Sequence, residues 1–307
     1  GSITLPELAE EIIASGRGDF VGLGRPLWAD PEWPLKAEEG RPEDIRPCIR
    51  CNEGCLERTF FNYKAITCAV NPTISREGEL EITEAAKKRN IAVVGAGPAG
   101  LEVARVLKLR GHEVTIFEKG KKGGQLNEAS VPDFKADIRS LKESMLTAVD
   151  KLGIAIVEKE VTAADLETYD AVVCATGSTP KKLPLPGADL DIAVDAADYL
   201  NDKKAVGKKV VVLGVGLVGS ETALHLAENG HQVTLVGRKP DIMKGVAVTD
   251  FLAYMERIAK TDMEICTLTT PLEIVADGVM VEHKGKRRKI EADTVLYAFG
   301  AKTEQDL

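Results

Sequence analysis

Long apolar runs are missing from this 307-residue chain, and none reaches the ~18–20 residues that a membrane-spanning helix requires. Positive charge is short as well. The 40 Lys and Arg against 48 Asp and Glu give a net charge of −8, which argues against a nucleic-acid binder, since phosphate contacts need clustered cations. One basic run, KGKRRK at residues 284–289, breaks this pattern. It lies between two strand-like stretches and reads as a solvated hairpin. No secretory signal opens the sequence, and Gly1-Ser2 is expected to be a cloning remnant. Histidine is scarce. His112 and His231 occupy equivalent turns, His225 falls in a helical stretch and His283 in a strand-like one. None has partners nearby in sequence for acid–base or nucleophilic work, so no residue is assigned a catalytic role. A cytoplasmic setting is expected.

A repeat dominates what is present. NIAVVGAGPAGLEVARVLKLRGHEVTIFEKG begins at Asn90, and KVVVLGVGLVGSETALHLAENGHQVTLVGRK begins at Lys209, an offset of 119. Gly95, Gly97 and Gly100 are matched by Gly214, Gly216 and Gly219. Each copy is an apolar run, a G-x-G-x-x-G turn, an amphipathic segment and a second apolar run. That strand–turn–helix–strand context turns a weak glycine pattern into a dinucleotide-binding signal. The first glycine permits the tight turn, the second lets the backbone approach a pyrophosphate, and the third lets helix and strand pack closely. The plain structural alternative is a doubly wound fold whose sites have decayed.

The copies differ where ribose is read. Glu118 ends the second strand of copy one, where a carboxylate accepts hydrogen bonds from ribose hydroxyls. Copy two has Gly237 there, followed by Arg238 and Lys239. A missing carboxylate beside two cations leans towards NADPH over NADH; the alternative leaves the cations merely exposed, with NAD held by other groups.

Four of the six cysteines are bunched: Cys48, Cys51, Cys55 and Cys68, spaced C-x2-C-x3-C-x12-C. In a chain of cytosolic composition, bunched thiols point to metal before disulfide. Four thiolates suit an iron–sulfur cluster or tetrahedral zinc, and the spacing departs from the paired C-x2-C knuckles of zinc sites. Inert thiols are a third reading. Cys174 and Cys266 sit in or beside strand-like runs and read as core residues. The pattern also predicts a helix over residues 5–14 capped by Thr4 and Glu7, and a short strand over 20–23. Another helix is expected over 134–152, a strand over 170–175, and a Pro-rich connector over 179–186. Alternating strands and helices imply α/β architecture with parallel, doubly wound sheets.

From LGRPLWADPE through RPCIRCNEGC, CAVNPTISRE, GAGPAGLE, GGQL and CATG, the chain resembles the flavin- and iron–sulfur-containing branch of the old yellow enzyme family. That branch includes 2,4-dienoyl-CoA reductases, enoate reductases and amine dehydrogenases. The resemblance implies two Rossmann-like domains in a disulfide-reductase-like FAD/NAD(P) arrangement, preceded by the end of a TIM barrel and an iron–sulfur segment. The implied boundaries are 1–45 for the barrel remnant, 46–80 for the [4Fe–4S] segment, 81–185 for the FAD domain and 186–307 for the NAD(P)H domain. It further implies a fragment lacking most of the barrel and the extreme C-terminus.

Carried onto this chain, the resemblance makes Cys48, Cys51, Cys55 and Cys68 the cluster ligands. FAD would be held by Gly95, Gly97, Pro98, Ala99, Gly100, Glu118, Gly124, Gln125, Val161, Thr176 and Gly177. Gly214, Gly216, Val218, Gly219 and Glu221 would face the nicotinamide nucleotide, with Arg238 and Lys239 nearby. Gly24 and Arg25 match the barrel's phosphate site for FMN. Electrons would run from NAD(P)H to FAD, through the cluster to FMN, and on to an activated C=C bond. The implied partners are nucleotides, flavins and the barrel of the same polypeptide, with a homo-oligomer left open. An amine dehydrogenase of the trimethylamine type, or a zinc- and nucleotide-binding module without catalysis, are the alternatives.

Overall fold

A computed structural model describes residues 2–181 and 185–304, which fall into two compact units. Unit 1 comprises the described residues up to Ser130 together with Lys135–Gly177; unit 2 comprises Val131–Phe134 and Ser178–Glu304. The connector expected over 179–186 therefore lies partly outside the described residues, as do residues 305–307 of the last expected domain.

Unit 1 opens with three short helices, α1 (Pro6–Ala14), α2 (Arg25–Ala29) and α3 (Trp33–Glu38). Each has a proline in its first turn, where the missing N–H costs nothing. Ile3, Ala9, Trp33 and Ile45 form their small core. Thr4 does not cap α1. Pro6 fixes the helix start, which makes Leu5 the N-cap with no side-chain cap bond, and the Thr4 carbonyl accepts from Trp33 Nε1 instead. Residues 20–23 are not a strand either. No strand among the described residues pairs with them, and Phe20 is 91% exposed, while Val21 and Leu23 pack onto the helical core.

The first glycine repeat then builds β1 (Asn90–Val94), α4 (Pro98–Leu109) and β2 (Glu113–Glu118). After α5 (Leu126–Ala129) come α6 (Ala136–Lys151), β3 (Ala155–Glu158), α7 (Ala163–Leu166) and β4 (Ala171–Cys174). The four strands pair in the order β3-β2-β1-β4, all parallel. Ile91, Ala92, Val93 and Val94 are all buried, the continuous apolar run of a strand covered on both faces. Burying side chains of this size contributes about 1.5–3 kcal/mol each.

Unit 2 holds β5 (Ser178–Pro180), β6 (Ala193–Asp195) and α8 (Ala196–Leu200), then the second repeat as β7 (Lys209–Leu213), α9 (Leu217–Glu228) and β8 (Gln232–Val236). It continues through α10 (Val248–Ile258), β9 (Glu264–Cys266), β10 (Thr269–Val275), β11 (Gly278–His283) and β12 (Lys286–Glu291) to β13 (Thr294–Tyr297) and β14 (Ala301–Thr303). A five-stranded parallel sheet runs β6-β13-β7-β8-β9, beside an antiparallel β10-β11-β12 sheet and a β14-β5 pair. The basic run lies in the β11–β12 turn and in β12, where Arg287, Arg288 and Lys289 pair with Glu282, Glu264 and Asp277. It is the solvated hairpin expected.

Register carries the repeat into three dimensions. Asn90 pairs with Glu113 in copy one, and Lys209 with Gln232 in copy two, the same offset at both ends. Parallel doubly wound sheets with two nucleotide-type turns are what the α/β expectation described.

Candidate functional site: two glycine turns and a thiol pocket

Each turn leaves its strand through a glycine with positive φ, +109° at Gly95 and +121° at Gly214. A Cβ there would stand 2.3 Å from the Ala175 carbonyl oxygen in copy one and 2.5 Å from that of Ala298 in copy two. Both the left-handed backbone and the close approach require glycine. Gly97 and Gly216 then cap α4 and α9, which direct the positive ends of their dipoles at the turn. In copy one, Gly123 N donates to the Ala96 carbonyl at 2.8 Å, which lays Gly124 against Gly97. Thr176 and Gly177 follow β4 directly beside Gly95, and Val161 is buried against Val94 and Phe117. Copy-one residues 95–100, 118, 124 and 176–177 therefore share one sheet end, with the Val161 side chain serving the core below.

At the end of the second strand, where the sequence expects ribose to be read, the two copies are built differently. Glu118 accepts from Ala96 N and Gly120 N, each at 2.7 Å, so backbone amides hold its carboxylate over the turn. In copy two, Gly237 is buried and a Cβ on it would meet both γ-methyls of Val215 at 2.5 Å. Val215 is the repeat partner of Ala96 and fills the space that a longer side chain at 237 would need. Arg238 and Lys239 are exposed just beyond, and Val218 is 56% exposed at the start of α9. Glu221 is 9% exposed and accepts a hydrogen bond from Tyr254 on α10. Burial, followed by the neighbouring Glu221 charge, pushes the Tyr254 hydroxyl far above its ordinary range, so it acts as a neutral donor.

All four clustered cysteines line one cavity, together with Arg25, Trp28, Ile49, Asn52, Gly54, Ala69 and Val70. The loop reaches it through left-handed bends at Arg50 (φ +52°) and Asn52 (φ +55°). It continues as a π-helical turn, Glu53–Phe61, in which Glu57 N donates to the Asn52 carbonyl. Cys68 arrives on a separate strand of chain. Thr67 N donates to the Gly54 carbonyl at 2.7 Å, and a Cβ on Gly54 would lie 2.5 Å from Thr67 O. Glycine at 54 is what lets Cys68 close on Cys55. Burial raises the Cys48 thiol and pushes Cys51 up to about 11, so these thiols give up protons when a metal group binds. The donor set fits the group: four sulfurs, one cavity, largely apolar walls.

Several residues escaped sequence reasoning. Arg46, two positions before Cys48, donates to the Val70 carbonyl at 2.7 Å and reaches Glu102 of α4 at 3.4 Å. The Ala175-Thr176-Gly177 exit also has a counterpart, Ala298-Phe299-Gly300, with Gly177 and Gly300 at φ +74° and +79°. In the sequence, CATG and YAFG carry the correspondence at an offset of 123. Cys174 corrects an expectation. It is exposed at the end of β4, which among the described residues is an edge strand paired with β1 alone. Cys266 is half-buried, and burial reinforced by Glu264 pushes its thiol up to about 11, which leaves it a poor nucleophile.

Two parallel sheets, each carrying a glycine turn at the head of a helix, define a two-nucleotide flavoprotein-type fold. The pyridine nucleotide-disulphide oxidoreductase family matches residues 89–307, and the chain belongs to that family. It is 40% identical to an NADH oxidase of Thermoanaerobacter brockii over 98% of this chain and 48% of that protein. It is 38% identical to a cinnamate reductase of Clostridium sporogenes, over 100% and 47%. A solved 2-naphthoyl-CoA reductase complex superposes with a TM-score of 0.93 at 37% identity, covering 97% of this chain and 46% of that one. The chain thus spans about half the length of these relatives. They place it in the flavin-dependent branch that its residues resemble. Among the described residues, no helix is long and apolar enough to cross a membrane.

Proposed function

We propose that this chain is the electron-input portion of an NAD(P)H-dependent flavin and iron–sulfur oxidoreductase acting on an activated C=C bond. The observation that carries the reading is the combination within unit 1: a glycine turn with an amide-held carboxylate at its ribose position, and four thiols around one cavity. A nicotinamide nucleotide held at the second glycine turn would supply a hydride, a flavin held at the first would take up the pair, and a cluster held by Cys48, Cys51, Cys55 and Cys68 would carry electrons one at a time.

The chain's own residues bind and orient. In copy one, Gly95, Gly97, Pro98, Ala99 and Gly100 present the head of α4 to a pyrophosphate. Glu118 offers its carboxylate to the ribose, and Gly124, Gln125, Thr176 and Gly177 close the flavin side. In copy two, Gly214, Gly216, Val218 and Gly219 receive the nicotinamide nucleotide, and Glu221 is held for its amide end by Tyr254. Arg238 and Lys239 favour a 2′-phosphate, hence NADPH. Gly24 and Arg25 match the FMN phosphate site of the family that the chain resembles.

The C-x2-C-x3-C-x12-C spacing supports a cluster over zinc, whose sites favour paired C-x2-C knuckles, and the four cysteines share one cavity. Names such as cinnamate reductase and 2-naphthoyl-CoA reductase among the relatives support an unsaturated acid or acyl thioester as substrate class.

The test is anaerobic purification followed by metal, sulfide and flavin analysis. About four iron and four sulfide per chain, with flavin bleached by NADPH faster than by NADH, is the expected result. Zinc without sulfide would refute the cluster, and a flavin reduced by an amine but not by NAD(P)H in the full-length enzyme would reverse the direction of electron flow.

A further inference from the structure

Arg25 matches an FMN phosphate ligand, yet its head group faces the thiol pocket. It begins α2, lines the same cavity as Cys48, Cys51, Cys55 and Cys68, and donates through Nη1 to Asn52 Oδ1 at 2.5 Å. Its Nη2 reaches Ser2 Oγ at 3.2 Å. Asn52 is the left-handed bend between Cys51 and Cys55 and the first residue outside the π-helical turn that carries Cys55. A guanidinium that grips this residue fixes the loop between two of the four thiols and places a permanent positive charge at the cavity wall.

We infer that Arg25 is a positioning and tuning residue of the cluster pocket, holding the Asn52 bend and stabilising the more negative, reduced state of the group bound by the cysteines. The inference rests on the cluster reading above and deepens it. Reduction adds one electron to an already anionic thiolate assembly. A cation in a partly desolvated wall lowers the energy of that state more than of the oxidised one, and nearby charge is one of the levers that set cluster potentials. Arginine suits the task because it stays protonated and its planar fork can hold the asparagine carbonyl while its charge faces the pocket.

The experiment is an EPR-monitored redox titration of the anaerobically purified chain and its variants, with iron and sulfide counted in each. Arg25→Gln is expected to move the midpoint to a more negative potential. The shift should correspond to an approximately tenfold smaller equilibrium constant for reduction, ~59 mV for a one-electron couple. Arg25→Lys, which keeps the charge, should recover most of that shift. A glutamine variant with full iron and an unmoved midpoint overturns the inference. Should Arg25→Gln fail to retain iron, Asn52→Ala carries the test, because it frees the cation from its anchor; the midpoint should move the same way by less, and an unchanged value overturns the inference. A parent chain without iron overturns the cluster reading itself, which separates the two failures.

Discussion

Copy one and copy two share strand register, turn geometry and a glutamate two residues past the third glycine, but they surround that glutamate differently. Glu102 in copy one is bonded by Arg105 at 2.8 Å and Arg46 at 3.4 Å. Glu221 in copy two is buried and takes its bond from a tyrosine. Copy one thus ties its helix by charge to the segment that bears the cysteines, whereas copy two keeps its glutamate beside a neutral donor, Phe134 edge-on to Tyr254, and α10. The same divergence recurs at the strand end, where Ala96 with Glu118 is replaced by Val215 with Gly237. The repeated fold keeps the same glycine turn in both copies and differs at the strand end and on the helix beyond it.

The largest test of that division acts on the shared part. Gly95→Ala and Gly214→Ala introduce equivalent strain, a left-handed alanine with its Cβ against a carbonyl. The expected loss is roughly 3 kcal/mol, about a hundredfold in affinity, at either site. The consequences should separate. Gly95→Ala yields protein depleted of flavin, measured by released flavin per chain. Gly214→Ala keeps its flavin but loses reduction by the nicotinamide nucleotide in stopped flow. Equal flavin loss in both variants would break the assignment of one nucleotide to each copy.

A sharper test exchanges the strand ends. Gly237→Glu alone drives its side chain into Val215 and is expected to destabilise unit 2 by about 1–3 kcal/mol, seen in thermal melts. Adding Val215→Ala reproduces the Ala96–Glu118 arrangement. Stability should return, and the NADPH/NADH preference should shift about tenfold towards NADH, since a carboxylate accepts from a 2′-hydroxyl and repels a 2′-phosphate. Failure of Val215→Ala to rescue the melt would mean that Val215 is not what excludes the longer side chain. Removing the cations, with Arg238→Ala and Lys239→Ala, is a smaller change because both are exposed. NADPH affinity should fall a few-fold and lose part of its salt dependence, while NADH affinity holds.

Much of this was legible in the sequence because the signals are local. Glycines at fixed spacing, apolar runs of strand length and four bunched cysteines each encode their structure within a few residues. What escaped is long-range. Arg46 bridges to Glu102 across 56 positions and Tyr254 reaches Glu221 across 33, and no periodicity marks such pairs. Nothing local in the sequence marks Gly54 as the residue against which Thr67 packs. The strand expected over 20–23 failed for a related reason: an apolar run becomes a strand only where another strand receives its hydrogen bonds. Cys174 was misjudged because apolar company in sequence does not reveal that β4 lies at a sheet edge.

The smallest expected effect concerns the charge tie unique to copy one. Burial opposes the Glu102 charge, but the bonds and fields of Arg105 and Arg46 outweigh it and hold the carboxyl below its ordinary value of 4.5. A depressed folded value means that the ionised form is favoured by folding. The resulting stability is fully present above pH 4.5 and is lost as the pH falls through the depressed value. Arg46→Gln removes one of the two cations, so unit 1 should lose at most about 1 kcal/mol near neutrality, since both partners are partly solvated. The deficit should shrink as the melts are carried into acid, because protonation of Glu102 removes from the parent what the mutation removed from the variant. A deficit that stays constant with pH would locate the work of Arg46 in its bond to the Val70 carbonyl beside Cys68. The contrast between the copies would then lie in how the cysteine segment is anchored, not in the charge of the shared glutamate.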